Sequence, residues 1–263
     1  MQLSIKTIFV IFLFLFAFSF IAKSQNAAFV KQGKIEFERS LNSYTLMEKA
    51  MRFNDDDNSS WREQMMAQYK KNNPQFQISK FTLVFNENKS LYSPVKVDAK
   101  MGGFFDLNEI AGKNIIYKDL TQNQTVAQKN LMQNEYLIAD TSRKFIWKIT
   151  DEYREIAGFN CRRANGIMHD SVYVVAFYTD LIIPSSGPES FHGLPGMILG
   201  AAVPYENTTW FATKVFTENV VDDQMKPPTK GKKYTFQEAI KTLRDAMKDW
   251  GKSGTFIFNR FML

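Results

Sequence analysis

The chain has one cysteine and two histidines, so nucleophile chemistry has few places to sit. Cys161 with His169 or His192 would supply a thiol and the imidazole that turns it into a thiolate. A hydrolase or thiol enzyme built on such a pair is the one catalytic reading these residues allow. Cys161 falls between Phe159 and Arg163 in an alternating, strand-like run. A cysteine buried in a strand is inert, so no residue is assigned a catalytic role. A zinc site needs three or four ligands, and neither the histidines nor the cysteine have ligand spacing, which leaves no metal assignment. Asp151, Glu152 and Glu155 form a charged turn edge rather than an acid–base pair. Asn54, Asp56 and Asn58 alternate as at the start of a calcium loop, but Ser59 stands where the glycine belongs and Met65 where the glutamate belongs. No phosphate-binding, dinucleotide-binding or serine-hydrolase motif occurs, and no cofactor is implied.

The stretch with the strongest local signal is Gly187–Val203, GPESFHGLPGMILGAAV. Leu194-Pro195-Gly196-Met197 has the form of a type II turn, with proline presetting φ at the second position and glycine supplying a positive φ at the third. Gly187, Pro188 and Gly200 are expected to shape the surrounding backbone. The run from Met197 to Val203 has no polar residue and suits a strand buried on both faces. Phe191, His192, Gly193, Leu194, Pro195 and Gly196 form the candidate binding loop. An aromatic on a stiffened loop is a good anchor because it loses little entropy on docking.

The elements that must position this loop are mostly strands. Ile35–Arg39 alternates apolar and polar, and Phe81–Phe85 with Ser90–Tyr92 reads as a hairpin. Ile115–Lys118, Thr125–Leu131, Glu135–Ala139, Phe145–Thr150, Glu155–Ala164, Ser171–Thr179 and Thr208–Val220 follow with short polar turns. Ser60 with Glu63 reads as a capping box opening a helix to Lys70, and Met101–Gly112 as a loose connection. Residues 222–233 read as a linker or long loop. Thr235 with Glu238 reads as a second capping box, and Phe236, Ala239, Ile240, Leu243, Met247 and Trp250 recur at helical spacing. An amphipathic helix over 235–250, stopped at Gly251, is expected to pack on the sheet. Thr255–Leu263 reads as a last strand. The fold class is therefore β-rich α+β: a curved antiparallel sheet of roughly eight to eleven strands, a half-barrel-like meander, with one or two packed helices.

Residues 1–24 have the make-up of a signal peptide: Lys6, an apolar run from Thr7 to Ala22, then Ala22-Lys23-Ser24. Its removal takes away two lysines and no acid, so the formal charge falls from +6 to +4. The remaining residues 25–263 suit one secreted domain. Export, together with the lack of a basic stripe interleaved with aromatics, excludes nucleic acid as a partner. No later stretch is long and apolar enough to cross a bilayer as a helix.

Gly193-Leu194-Pro195-Gly196-Met197-Ile198 resembles the signature of the GLPGLI family, bacterial envelope proteins of uncharacterised function, with Met197 in place of a leucine. Trp147-Lys148-Ile149-Thr150, Gly158–Ala164, Phe177-Tyr178-Thr179, Ile183-Pro184 and Gly187-Pro188 follow the same pattern in order. The resemblance covers about Glu135–Val220 and implies the periplasm or outer-membrane periphery. The expected sheet with a helix on its concave side is similar, at the level of fold, to LolA-like envelope carriers. These readings together imply a non-catalytic binding or accessory module for an outer-membrane or periplasmic protein, or for a lipid-like, amphiphilic ligand.

Overall fold

The computed structural model describes residues 29–52, 59–95, 109–131, 134–168 and 172–263. The segment read as a signal peptide, the Asn54–Asn58 gap, most of Met101–Gly112 and His169 lie outside the described residues.

Among the described residues twelve strands form one open sheet: β1 (Gly33–Asn42), β2 (Phe76–Phe85), β3 (Lys89–Pro94), β4 (Ile115–Asp119), β5 (Gln124–Leu131), β6 (Asn134–Thr141), β7 (Ile146–Ile156), β8 (Phe159–Met168), β9 (Val172–Thr179), β10 (Met197–Val203), β11 (Thr208–Phe216) and β12 (Lys232–Tyr234). Their order across the sheet is β12-β6-β5-β4-β3-β2-β1-β11-β10-β9-β8-β7. Two runs of neighbouring hairpins, β2–β6 and β7–β11, are thus joined through β1. Strands β6 and β7 stand far apart in this order, yet only residues 142–145 link them.

The expectation of a purely antiparallel sheet is corrected at one edge. β12 lies parallel to β6, pairing Lys232 with Tyr136 and Tyr234 with Ile138. It overlaps the end of the stretch read as a linker. Three residues, two of them lysines, gave no alternation to recognise. The reading of Glu155–Ala164 as one strand is also corrected. Ala157 and Gly158 both take positive φ, 51° and 82°, and Ile156 pairs with Phe159. That is a two-residue hairpin turn of the kind that fits the strand twist.

Alternation sorts the sheet into two faces. In β1, Ile35, Phe37, Arg39 and Leu41 are buried while their neighbours are half-exposed. Across the sheet the same face carries Leu83, Tyr92, Ile116, Ala127 and Ile138 in one row of register partners. Another row runs through Trp210, Ala201, Ala176 and Ala164. Three alanines side by side keep that part of the face low.

The helices cover this inner face or flank it. α1 (Ser43–Met51) follows β1 directly, capped by the Asn42 side chain, which accepts from Thr45 N at 3.2 Å. α2 (Ser59–Asn72) packs on it through a small methionine-rich cluster, Met47, Met51, Met66 and Tyr69. α2 begins at Ser59, so Ser60 lies inside the helix rather than at its cap. After the single turn α3 (Glu109–Gly112), the remaining helices are α4 (Phe236–Met247) and α5 (Gly251–Phe261). α4 has the expected Thr235–Glu238 capping box, and Ala239, Leu243 and Met247 join the main core. α5 corrects the expectation of a final strand at Thr255–Leu263: Phe256, Phe261, Met262 and Leu263 are buried there, and packing overrides a β-favouring sequence.

Candidate functional site

Residues 180–196 connect β9 to β10 without forming a tight hairpin. The segment instead folds over the inner face. Met197 N donates to Ile182 O at 3.0 Å, and Ile198 N donates to Ser186 O at 2.8 Å. Trp147 Nε1, on β7, donates to His192 O at 2.9 Å, while Phe191 meets Trp210, on β11, edge to face at 5.6 Å. The loop therefore bridges β7 and β11, and the alanines of β8, β9 and β10 stand between.

The turn itself differs in its hydrogen bonding from a type II turn. Gly196 has the positive φ, 134°, but its N–H donates to Leu194 O at 2.8 Å, closing a three-residue turn about Pro195. Met197 N is already committed to Ile182. Glycine at 196 is needed twice over, since a Cβ there would stand 2.1 Å from Thr179 O. Gly187 and Gly200 serve close packing: a Cβ on the first would meet Ile198 Cβ at 2.7 Å, and on the second the Phe211 ring at 2.8 Å.

The candidate loop residues do not share one environment. Phe191, Leu194 and Gly196 are buried, His192 is half-buried, and Gly193 and Pro195 are exposed. Phe191 is fully buried against Trp210 and Phe145, in the core rather than at the surface an anchor needs. The low alanine floor beneath the loop explains why the ring turns inward.

Beneath the loop lies a buried polar network. The Lys118 ammonium donates to Gly187 O at 2.8 Å and to Phe191 O at 3.0 Å, and reaches Ser186 Oγ at 3.5 Å. Ser90 and Ser186 share a hydrogen bond of 2.8 Å. Asn114 Nδ2 donates to Glu189 Oε2 at 2.9 Å, while Glu189 Oε1 is buried with no hydrogen-bond partner. Glu189 also holds a φ of 49°, a backbone state that a non-glycine residue adopts only when its surroundings fix it. Further along, Lys129 Nζ donates to Phe261 O at 2.9 Å, and Arg143 donates to Met262 O at 2.8 Å and Ser190 Oγ at 3.2 Å.

Burial sets the electrostatics. It pulls Lys118 and Lys129 each down to about 7, with the charge of Glu189 opposing the shift in both. Burial, with the positive charges of Lys118 and Arg143, pulls His192 down to about 4, although its bond to Ser190 O opposes this. The ring is neutral at neutral pH, and Nδ1, 2.9 Å from Ser190 O, carries the proton. Lys118 fastens the loop, Asn114 and Glu189 brace it, and His192 O takes the Trp147 indole.

The structure does not bring Cys161 and His192 into a pair. His192 O accepts from Trp147, whose ring lies against Gly166, and Cys161 stands five residues before Gly166 on β8, roughly 16 Å from it along the strand. Cys161 is fully buried, its thiol faces Phe159 O, and burial pushes its pKa up to about 12. Among the described residues no three histidine, cysteine or acidic side chains are placed to hold a metal.

Sequence reasoning missed Lys118, Lys129, Asn114 and Glu189. The available signal was parity: Lys118 shares a face with Ile116, and Lys129 with Ala127 and Leu131.

Residues 166–200 match a family model described as "Protein of unknown function (Porph_ging)". The matched segment holds the end of β8, β9, the whole loop and the start of β10. No curated protein matches the chain. Among solved structures, PNGF-II in a C2 crystal form is 14% identical with a TM-score of 0.49, over 88% of this chain and 33% of that one. The P21 form gives 16% and 0.48, over 85% and 34%. An uncharacterised conserved protein from Thermus thermophilus gives 5% and 0.38, over 83% and 98%. The chain spans about a third of the length of the PNGF-II chains.

Proposed function

We propose that this protein is an exported, non-catalytic binding module of the cell envelope, of GLPGLI type, that works by contact with an envelope protein. The observation that carries this reading is on the outer face of the sheet. Ile146, Ile167 and Tyr173 are register partners across β7, β8 and β9, and they are 83%, 54% and 43% exposed. They stand opposite the face that the loop covers. Among the described residues β7 is also one of the two edge strands of the sheet. An apolar row beside an edge strand is a surface that a partner strand or helix can cover. The inner loop then has a supporting role, holding β7 to β11 so that the outer row keeps its shape.

The sheet's own connectivity supports a half-barrel form. β6 and β7 are ten strand spacings apart in order, which in a flat sheet would be roughly 48 Å. The link through residues 142–145 spans at most about 19 Å. A sheet rolled far enough for that link to reach turns the β7–β9 row outward on a convex surface. Among the described residues no helix is long and apolar enough to cross a membrane. Export rests on residues 1–24 alone.

The test is photocrosslinking from position 173 in bacterial envelopes, with a crosslinker at Lys214 as the comparison. A discrete adduct that appears at 173 and disappears with Ile146→Lys and Ile167→Lys is the expected result. Equal labelling at both positions, or adducts that survive both lysines, would sink the reading.

A further inference from the structure

The formal charge of the chain is gathered in one place. Residues 230–250 hold six lysines and arginines and three acids, a net of +3, while residues 25–263 as a whole carry +4. All six cations are exposed. They begin at Lys230, continue through Lys232 and Lys233 on β12, and run along α4 to the corner where it meets α5. Exposed charge of one sign this concentrated bears on a partner rather than on the fold.

α4 sorts its side chains by angle. Ala239, Leu243 and Met247 make its buried stripe. Lys241, Arg244 and Lys248, spaced i, i+3 and i+7, fall within an arc of about 60° turned away from that stripe. Glu238, Asp245 and Asp249 take the flank beside them. The ion pairs among the described residues include none of these three cations. The Arg244 guanidinium lies over the Phe258 ring at 5.2 Å. Arg244 and Lys248 line a groove of about 390 Å³ between α4 and α5, together with Met247, Gly251, Thr255 and Phe258. Gly254 brings the two helices together, since a Cβ there would stand 2.7 Å from Met247 O, and at Gly251 no side chain fills the space. The corner also carries Trp250, 45% exposed. An indole has an apolar body and one N–H donor, and such a side chain suits the boundary between lipid headgroups and acyl chains.

We propose that the corner between α4 and α5 is a peripheral docking surface for an anionic lipid bilayer. Arg244 and Lys248 take a headgroup phosphate at the mouth of the groove, where the planar guanidinium matches phosphate oxygens. Lys241 and the lysines of β12 add attraction to the surface charge, and Trp250 settles among the headgroups. The same cations would draw an acidic polypeptide, but that partner would give the indole nothing apolar to enter. Charge and indole together therefore favour lipid. α4 belongs to the layer over the inner face of the sheet, and the row of Ile146, Ile167 and Tyr173 stands on the outer face. Either reading can fail without the other.

The experiment is co-sedimentation of the protein, purified from bacterial envelopes, with vesicles of mixed phosphatidylglycerol and phosphatidylcholine. Vesicles of phosphatidylcholine alone and beads coated with polyglutamate are the comparisons. Binding to the anionic vesicles, falling as salt is raised and far weaker on phosphatidylcholine, is expected. Lys241→Gln with Arg244→Gln and Lys248→Gln should weaken it by about a hundredfold, roughly fivefold per cation. Lys71→Gln with Lys80→Gln and Lys214→Gln removes the same charge from exposed positions elsewhere and should keep most of the binding. Because a misfolded variant would also lose binding, the parent protein supplies a separate reading: anionic vesicles should shift its tryptophan emission to the blue, and Trp250→Phe should remove that shift. Phosphatidylcholine bound as tightly as the anionic mixture, equal losses in the two triple variants, or a blue shift that survives Trp250→Phe would each overturn the proposal. So would failure to bind anionic vesicles, and capture by polyglutamate in that case would point to an acidic protein instead.

Discussion

The Lys118 ammonium on β4 donates to the carbonyl of Phe191, 73 residues further along the chain. With its second bond to Gly187 O, this one side chain holds both arms of the loop between β9 and β10. Lys118→Met keeps most of the volume but leaves those buried carbonyls without a donor. It should destabilise the fold by about 2–4 kcal/mol, read from urea unfolding, with amide exchange rising first in residues 183–197. A loss below the error of the measurement would mean that the loop does not depend on Lys118.

Stability should rise with pH between 7 and 9. Lys118 and Lys129 titrate near 7 when folded and near 10.5 when unfolded. Between these values the unfolded chain binds more protons, so raising the pH favours the folded state. His192 acts in the same direction between about 4 and 6.5. Burial holds the Glu206 carboxyl above its ordinary range and the Cys161 thiol up at about 12, and these act in the opposite direction below pH 7 and above pH 9, so the urea midpoint should climb between pH 7 and pH 9. The climb above pH 7 should flatten in Lys118→Met with Lys129→Met. A midpoint that falls between pH 7 and 9 in the parent protein would contradict the burial of these amines.

Two glycines with positive φ separate strain from space. Gly158 has a φ of 82° and nothing within 4 Å of a Cβ, whereas at Gly196 a Cβ would collide with Thr179 O at 2.1 Å. Gly158→Ala should cost about 1 kcal/mol, the strain alone. Gly196→Ala should cost about 3 kcal/mol or more, because backbone must move. Thermal unfolding of the pair checks the ranking, and equal losses would argue against the close approach of β9 to the turn.

The Cys161 thiol should be silent towards Ellman's reagent in the native protein and release one equivalent in guanidinium. Burial accounts for both halves of that expectation. Rapid labelling of the folded protein would reopen the question of a reactive thiol.

The strands were legible because the sheet buries one face, which writes a period of two into the chain. Met197–Val203 was legible for the opposite reason, having no polar residue to alternate. α4 announced itself through Thr235, Glu238 and an apolar stripe. α5 did not, because its aromatic and β-branched residues satisfy the wall they press against rather than their own helix. α1 had a signal in Asn42, but the strand running straight into it obscured the boundary. The polar network was the least legible part. A lysine in a strand ordinarily marks the wet face, and only the parity of Lys118 and Lys129 with apolar neighbours placed them inside. Glu189 could not be assigned from its spacing, since the loop that carries it has no period.

The place of β1 between β2 and β11 has a consequence in time. Its pairing with β11 joins residues as far apart as Lys34 and Phe216, 182 positions in sequence. In a chain made from its N-terminus at roughly 5–20 residues per second, one side of β1 would wait on the order of 10 s or longer for its neighbour. During that interval Lys34, Glu36 and Glu38, spaced along the strand's half-exposed face, are the residues that discourage a stranger from pairing there first.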